Sequence, residues 1–220
     1  MASFFNLTLD TTAPAGLTLK LNNGAAYATS TSVTATIGLT DSVTTGYQMK
    51  IWGVAGAATE SEAAWATFVK SKAITLTTGD GQKTVSIKVR DDVGNETATV
   101  TAKITLDTAV PVVTITGPDK SKISKVATFN VSAFSFSANA DFEEYKIKVV
   151  PSESSLENAG TQIPVTAGST NTSGTAGGYK KDTAINVTIN GADLETASAG
   201  DGVKIVKVFV KNAAGTWSVA

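Results

Sequence analysis

The sequence holds no cysteine and no histidine. Without cysteine there is no disulfide, no thiolate nucleophile and no cysteine-ligated metal. Without histidine the commonest general base and the commonest transition-metal ligand are both missing. A serine nucleophile would then need a lysine or another unusual base. Ser121-Lys122 and Ser124-Lys125 fall in a stretch that reads as a solvated linker or turn. The expectation is a non-enzyme, with no catalytic residue, no cofactor and no bound metal. An excess of one charge is missing too: 18 Lys and Arg stand against 19 Asp and Glu, a net charge of −1. That balance gives no electrostatic case for nucleic acid or an anionic membrane. No apolar run approaches the ~18 residues of a membrane helix. Residues Met1 to Leu9 lack the basic and apolar regions of a secretory signal. Membrane insertion is not expected, nor, if Met1 is the true start, is export by the general secretory route.

What the chain does contain is a pattern stated twice. Leu9-Asp10-Thr11-Thr12-Ala13-Pro14 returns as Leu106-Asp107-Thr108-Ala109-Val110-Pro111. Tyr47-Gln48-Met49-Lys50-Ile51-Trp52 returns as Tyr145-Lys146-Ile147-Lys148-Val149-Val150, and Gly79-Asp80-Gly81 returns as Gly200-Asp201-Gly202. Anchors recurring in one order across about a hundred residues mean two copies of one domain. The boundaries read 1–107 and 108–220. The first two anchors recur after 97 and 98 residues and the third after 121, so copy two carries 23 extra residues. They fall within about 151–181 and include a Gly/Ser/Thr-rich run from Gly168 to Gly178. A run so poor in apolar residues reads as a mobile loop.

Period-two alternation dominates both copies. Leu17–Leu21, Val33–Ile37, Tyr47–Ile51, Val85–Val89 and Val100–Ile104 each place apolar side chains on one face. Val113–Ile115, Thr128–Ser132, Tyr145–Val149, Ile185–Ile189 and Val206–Val210 do the same in copy two. Asn22-Asn23-Gly24, Asp80-Gly81 and Asp91-Asp92-Val93-Gly94-Asn95 supply turn chemistry between them. Short strands with such turns predict an all-β chain of two tandem immunoglobulin-like β-sandwiches. One segment breaks the pattern: Thr59 to Val69 predicts a short helix, with Thr59 and Glu62 at capping-box spacing. Trp65 is expected to plug one end of the first sandwich.

These residues resemble a bacterial and phage immunoglobulin-like repeat. The resemblance is carried by Asp10, Thr12 and Pro14; Asn23, Gly24 and Tyr27; Val33 and Thr34; Met49; Trp65; Gly79 to Val85; and Asp92, Gly94 and Asn95, with Leu106-Asp107 closing the unit. Copy two keeps both ends and the Tyr145 strand, but lacks the Asn-Gly-x-x-Tyr turn and the central Trp. Such repeats occur in bacterial surface proteins and phage virion proteins. A chain without an export signal resembles a virion accessory protein, either a capsid decoration protein or a head fibre. That implies a location in the virion and the major capsid protein or another virion protein as partner. A homo-oligomer and a host-surface glycan are further possible partners. A tail or baseplate accessory protein and a carbohydrate-binding surface adhesin are the alternatives. The adhesin would need Trp52, Trp65 and Trp217 open to solvent.

Candidate partner contacts are few. Phe4 and Phe5 would mark an interaction site if exposed. Gly174, Gly177 and Gly178 belong to the inserted loop, and loops often carry binding. Phe4 to Asp10 resembles Thr101 to Asp107, the closing stretch of copy one, and copy two has no such stretch after Thr216-Trp217-Ser218-Val219-Ala220. Two readings follow. Residues 4–9 form the first strand of domain one, which local pairing favours, or they complete domain two of another subunit. Asp10, Asp41, Asp91, Asp92, Asn95 and Asp107 sit at turns and linkers. They match no calcium-loop spacing, and turn initiation explains them with less assumption.

Overall fold

The computed structural model describes residues 5–124, 131–164, 174 and 177–219. The chain divides into two compact units, Met1–Thr108 and Ala109–Ala220, and each is an immunoglobulin-like β-sandwich.

The first unit contains β1 (Thr18–Leu21), β2 (Tyr27–Ala28), β3 (Ser32–Gly38), β4 (Gln48–Trp52), β5 (Ala66–Thr67), β6 (Ser71–Thr75), β7 (Gly81–Arg90) and β8 (Val100–Leu106). They form two sheets, β1-β3-β6 and β2-β8-β7-β4-β5. All pairings are antiparallel except β2 with β8. In immunoglobulin lettering the facing sheets are A-B-E and G-F-C, with β2 a short strand beside G. Alternation drives this closure. On β3, Val33, Ala35 and Ile37 point inward and are buried while Ser32 and Thr34 face solvent. Leu21, Ile87, Ile104 and Leu106 from the other strands complete the core.

The second unit contains β9 (Val113–Thr116), β10 (Val131–Ala138), β11 (Glu144–Val150), β12 (Thr161–Gln162), β13 (Ile185–Asn190), helix α1 (Gly191–Ala197) and β14 (Ile205–Lys211). Its sheets are β13-β10-β9 and β12-β11-β14. These match A-B-E and C-F of the first unit, and among the described residues no strand corresponds to β8. The core is aromatic, with Phe136, Phe142 and Tyr145 packed edge-on or tilted at 5.0–6.5 Å between centroids.

Two expectations need correction, and a third is met over the residues described. Thr59 to Val69 forms the capping box, with the Thr59 and Glu62 side chains engaged reciprocally, but only Glu60–Glu62 turns, as a 3-10 helix. Ala66–Thr67 then pairs with β4, because a strand edge there offers the backbone partners that a short exposed helix lacks. Of the strand expected over Thr128–Ser132, Val131 and Ser132 lie in β10, which continues to Ala138; residues 128–130 lie outside those described. Part of the inserted segment, expected as a mobile loop, belongs to the sandwich: β12 pairs with β11, and Ile163 is fully buried. Val165–Ser173, Thr175 and Ala176 lie outside the described residues.

Candidate interaction site

The N-terminal segment is not the first strand of domain one. Residues 5–10 carry no strand pairing, and Phe5, Leu7 and Leu9 are 85%, 86% and 86% exposed. The places a leading strand would take are filled by β1, paired to β3, and by β2, paired to β8. The segment is attached at Asp10, whose carbonyl accepts from Asn95 Nδ2 at 3.3 Å and whose Oδ1 accepts from Thr12 N–H at 3.0 Å. An apolar row on alternate residues, belonging to neither core, is the signature of a segment that needs a partner. Phe5 lies in it; Phe4 is outside the described residues.

The loop glycines are placed differently from one another. Gly174 N–H donates to the Tyr145 carbonyl at 3.1 Å and Gly177 N–H to the Glu143 carbonyl at 3.0 Å. A side chain on Gly174 would strike the Tyr145 ring at 2.3 Å. Gly174, a candidate partner contact by sequence, thus serves close packing on β11. Gly178 is exposed with open space around it.

A second feature lies in unit two, where sequence reasoning marked only the absence of a closing stretch. β14 has β11 on one side; its other edge is met at Val210 and Lys211 by Ser218 and Trp217 of the following turn, and among the described residues no strand lies along the rest. Beside that edge the sandwich is open as a groove of about 590 Å³ lined mainly by apolar side chains, among them Ile115, Pro118, Phe134, Ile189, Leu194 and Val206. Val203 is 96% exposed. In unit one the matching space is filled by Ile104 and Leu106 of β8, both buried.

The turn acids are engaged structurally. Asp91 Oδ1 accepts from the Val93 and Asn95 N–H groups at 3.0 and 2.8 Å. Asp41 accepts from Tyr47 OH at 3.2 Å and from Ala15 N–H. Asp80 accepts from Thr108 N–H and hydroxyl at 3.0 and 2.8 Å. Among the described residues no group of three or more acids is placed to hold a metal ion.

Two of the three tryptophans carry cations over their rings. Trp52, Trp65 and Trp217 are all half-buried. Trp65 is outside the core it was expected to plug. It lies against Arg90 and Lys50, whose charges sit 4.4 and 5.1 Å from its ring centroid, and Arg90 is fixed by Gln48 Oε1. Trp217 has Lys146 and Lys211 over its ring at 4.6 and 5.3 Å. A ring face covered by a cation is not free to stack on a sugar.

No family model matches the chain, and no curated protein matches its sequence. Among solved structures it is similar to the fibronectin(III)-like modules of Clostridium thermocellum CbhA. That match has a TM-score of 0.46 and 9% identity, over 92% of this chain and 90% of the other. It is also similar to the chitinase ChiA74 from Bacillus thuringiensis, with a TM-score of 0.31 and 15% identity, over 92% of this chain and 30% of the other. The immunoglobulin-like assignment stands on this chain's own strand order.

Proposed function

We propose that this chain is a non-catalytic assembly protein of a phage virion, decorating the capsid surface, and that its two sandwiches act by protein–protein contact. The observation that carries the binding role is the exposed Phe5-Leu7-Leu9 row, which lies outside a closed core and has the spacing of a strand. The virion assignment is supported by the repeat resemblance of the Asp-x-Thr-x-Pro, Gly-Asp-Gly and Asp-x-x-Gly-Asn motifs. The absence of histidine and cysteine supports a role without chemistry. A tail or baseplate accessory protein fits the same observations. The carbohydrate-binding alternative loses support from the cations over Trp65 and Trp217.

The test is co-sedimentation of purified protein with phage heads stripped of accessory proteins. Saturable binding at a fixed number of copies per capsomer is expected. Binding to isolated tails, with none to heads, would overturn the decoration role in favour of the tail reading. Retention on host-surface glycan with no binding to heads or tails would restore the adhesin reading.

A further inference from the structure

The exposed row in unit one and the open edge in unit two have matching chemistry, and the repeat relates them residue by residue. Leu7-Thr8-Leu9-Asp10-Thr11 stands 97 residues before Ile104-Thr105-Leu106-Asp107-Thr108, which ends β8 and leads out of unit one. β14 stands 121 residues after the second half of β7, and the turns that follow are built alike. Asp91 N–H bonds the Asn95 carbonyl as Asn212 N–H bonds the Thr216 carbonyl, and Thr97 N–H bonds Val89 as Ser218 N–H bonds Val210. β7 carries β8 on the edge that β14 leaves open. Among the described residues, therefore, no strand of unit two stands where β8 stands in unit one, and residues 5–10 carry the strand pattern of β8.

We propose that residues 5–10 of one copy add as the closing strand to β14 of a second copy, joining copies head to tail. The register follows from the β7–β8 pairs Gly81↔Leu106, Gln82↔Thr105 and Lys83↔Ile104. It places Leu9 opposite Gly202, Thr8 opposite Val203 and Leu7 opposite Lys204, with Asn6 and Phe5 continuing against Ile205 and Val206. Leu7 and Leu9 then take the places that Ile104 and Leu106 hold in unit one, and enter the apolar groove. Thr11 takes the place of Thr108, whose N–H and hydroxyl bond Asp80; Asp201 occupies the Asp80 position in unit two. The joint between copies repeats the covalent joint by which β8 runs through Asp107-Thr108 into unit two. A heterologous contact of this kind propagates into a ring or a fibre. Main-chain hydrogen bonds supply affinity and the alternate side chains supply register. This inference rests on reading residues 5–9 as a partner-binding segment and is independent of the capsid assignment.

The chain's lack of cysteine makes the test clean. Thr105 donates its N–H to Ala26, away from β7, so the Thr105–Gln82 pair is of the close, non-hydrogen-bonded kind that a disulfide can span. Its counterpart is Thr8 with Val203, both facing outward. Full-length T8C and full-length V203C chains, mixed and mildly oxidised, are expected to give a mixed disulfide dimer. T8C mixed with S154C, an exposed control position, is expected to give at least tenfold less. The double variant T8C/V203C is expected to give a ladder of covalent multimers. Leu7→Asp with Leu9→Asp, placed where unit one does not use the side chains, is expected to abolish the T8C–V203C product with the far-ultraviolet spectrum unchanged. No mixed dimer, equal yield with the S154C control, or a disulfide closing only within one chain of the double variant would each overturn the proposal. Failure to bind capsids, with the cross-link intact, would overturn only the virion assignment.

Discussion

At Asp91 burial works against the ionised carboxylate, yet hydrogen bonds from the Asn95 side chain and from the Asn95, Val93 and Gly94 backbone N–H groups outweigh it. They hold the carboxyl below its ordinary value of 3.8. The folded form thus favours the carboxylate more than the unfolded chain does. The resulting stability is present above the unfolded pKa and is lost as pH falls through the folded one. Asn212 fills the same turn in unit two with a neutral acceptor, bonding Thr216 N–H at 2.8 Å. Asp91→Asn copies that solution and is expected to flatten the acid limb of unit one's stability at small cost near neutral pH. Asp91→Ala is expected to cost roughly 1.5–3 kcal/mol; thermal melts between pH 2 and pH 7 check both. Tyr145 shows the opposite sign. Burial, with a smaller contribution from Tyr179, pushes its phenol up to about 12. Its contribution is complete below the unfolded value of 10.0 and disappears as pH rises through the folded one. Ultraviolet titration of Tyr145→Phe is expected to lack the last tyrosinate transition. Gly53 holds φ +81° with the Thr84 carbonyl 2.1 Å from where a Cβ would stand. Gly53→Ala is expected to cost about 1–3 kcal/mol in unit one, read by denaturant melts. The turn roles of these acids are legible in the sequence; the hydrogen-bond counts that set the pKa directions are not, because the partners come from the folded turn.

At the scale of elements, strands with clean alternation are legible. β3, β4, β7, β11, β13 and β14 lie where period two places them. β6 is not legible, because in Ser71–Thr75 only Ile74 is buried and the strand is held by pairing with β3. Helix α1 is not legible for a related reason. Its signal is local, an Asn190 side chain capping Asp193 N–H at 2.8 Å, with Leu194 and Ala197 packed on the core. Seven residues are too few to show a helical period. The Trp65 segment misled as a helix because the capping box is real but stops after one turn. Its tryptophan covers Arg90 on the sheet, so Trp65→Ala is expected to cost about 1–2 kcal/mol, less than a core aromatic. Thermal melts beside Arg90→Ala and the double variant check this, with a coupling of the two expected from the cation–ring contact.

At the scale of the whole molecule, each unit has its own core, and no residue is shared between the two buried clusters. Phe136→Ala, removing a ring 1% exposed in unit two, is expected to cost about 3–5 kcal/mol and to lower only that unit's transition. Ile87→Ala is expected to do the reverse in unit one. Calorimetry with the two variants side by side assigns the transitions.

The sequence by itself determined that there are two copies of one sandwich, where most of their strands run, and that histidine and cysteine are missing. Those properties are local or periodic: alternation, turn glycines and recurring anchors are written along the chain. Only the tertiary structure decided that residues 5–10 join neither sheet of unit one and that, among the described residues, no strand lies along the first part of β14 beside an apolar groove. It also decided that Trp65 and Trp217 are covered by cations. Each of these depends on which neighbour already occupies a place, and occupancy is settled by packing between residues far apart in the chain. The alternation of Phe5, Leu7 and Leu9 marks a strand in the sequence; whether a strand finds a partner within its own unit depends on every other strand that has taken its place first.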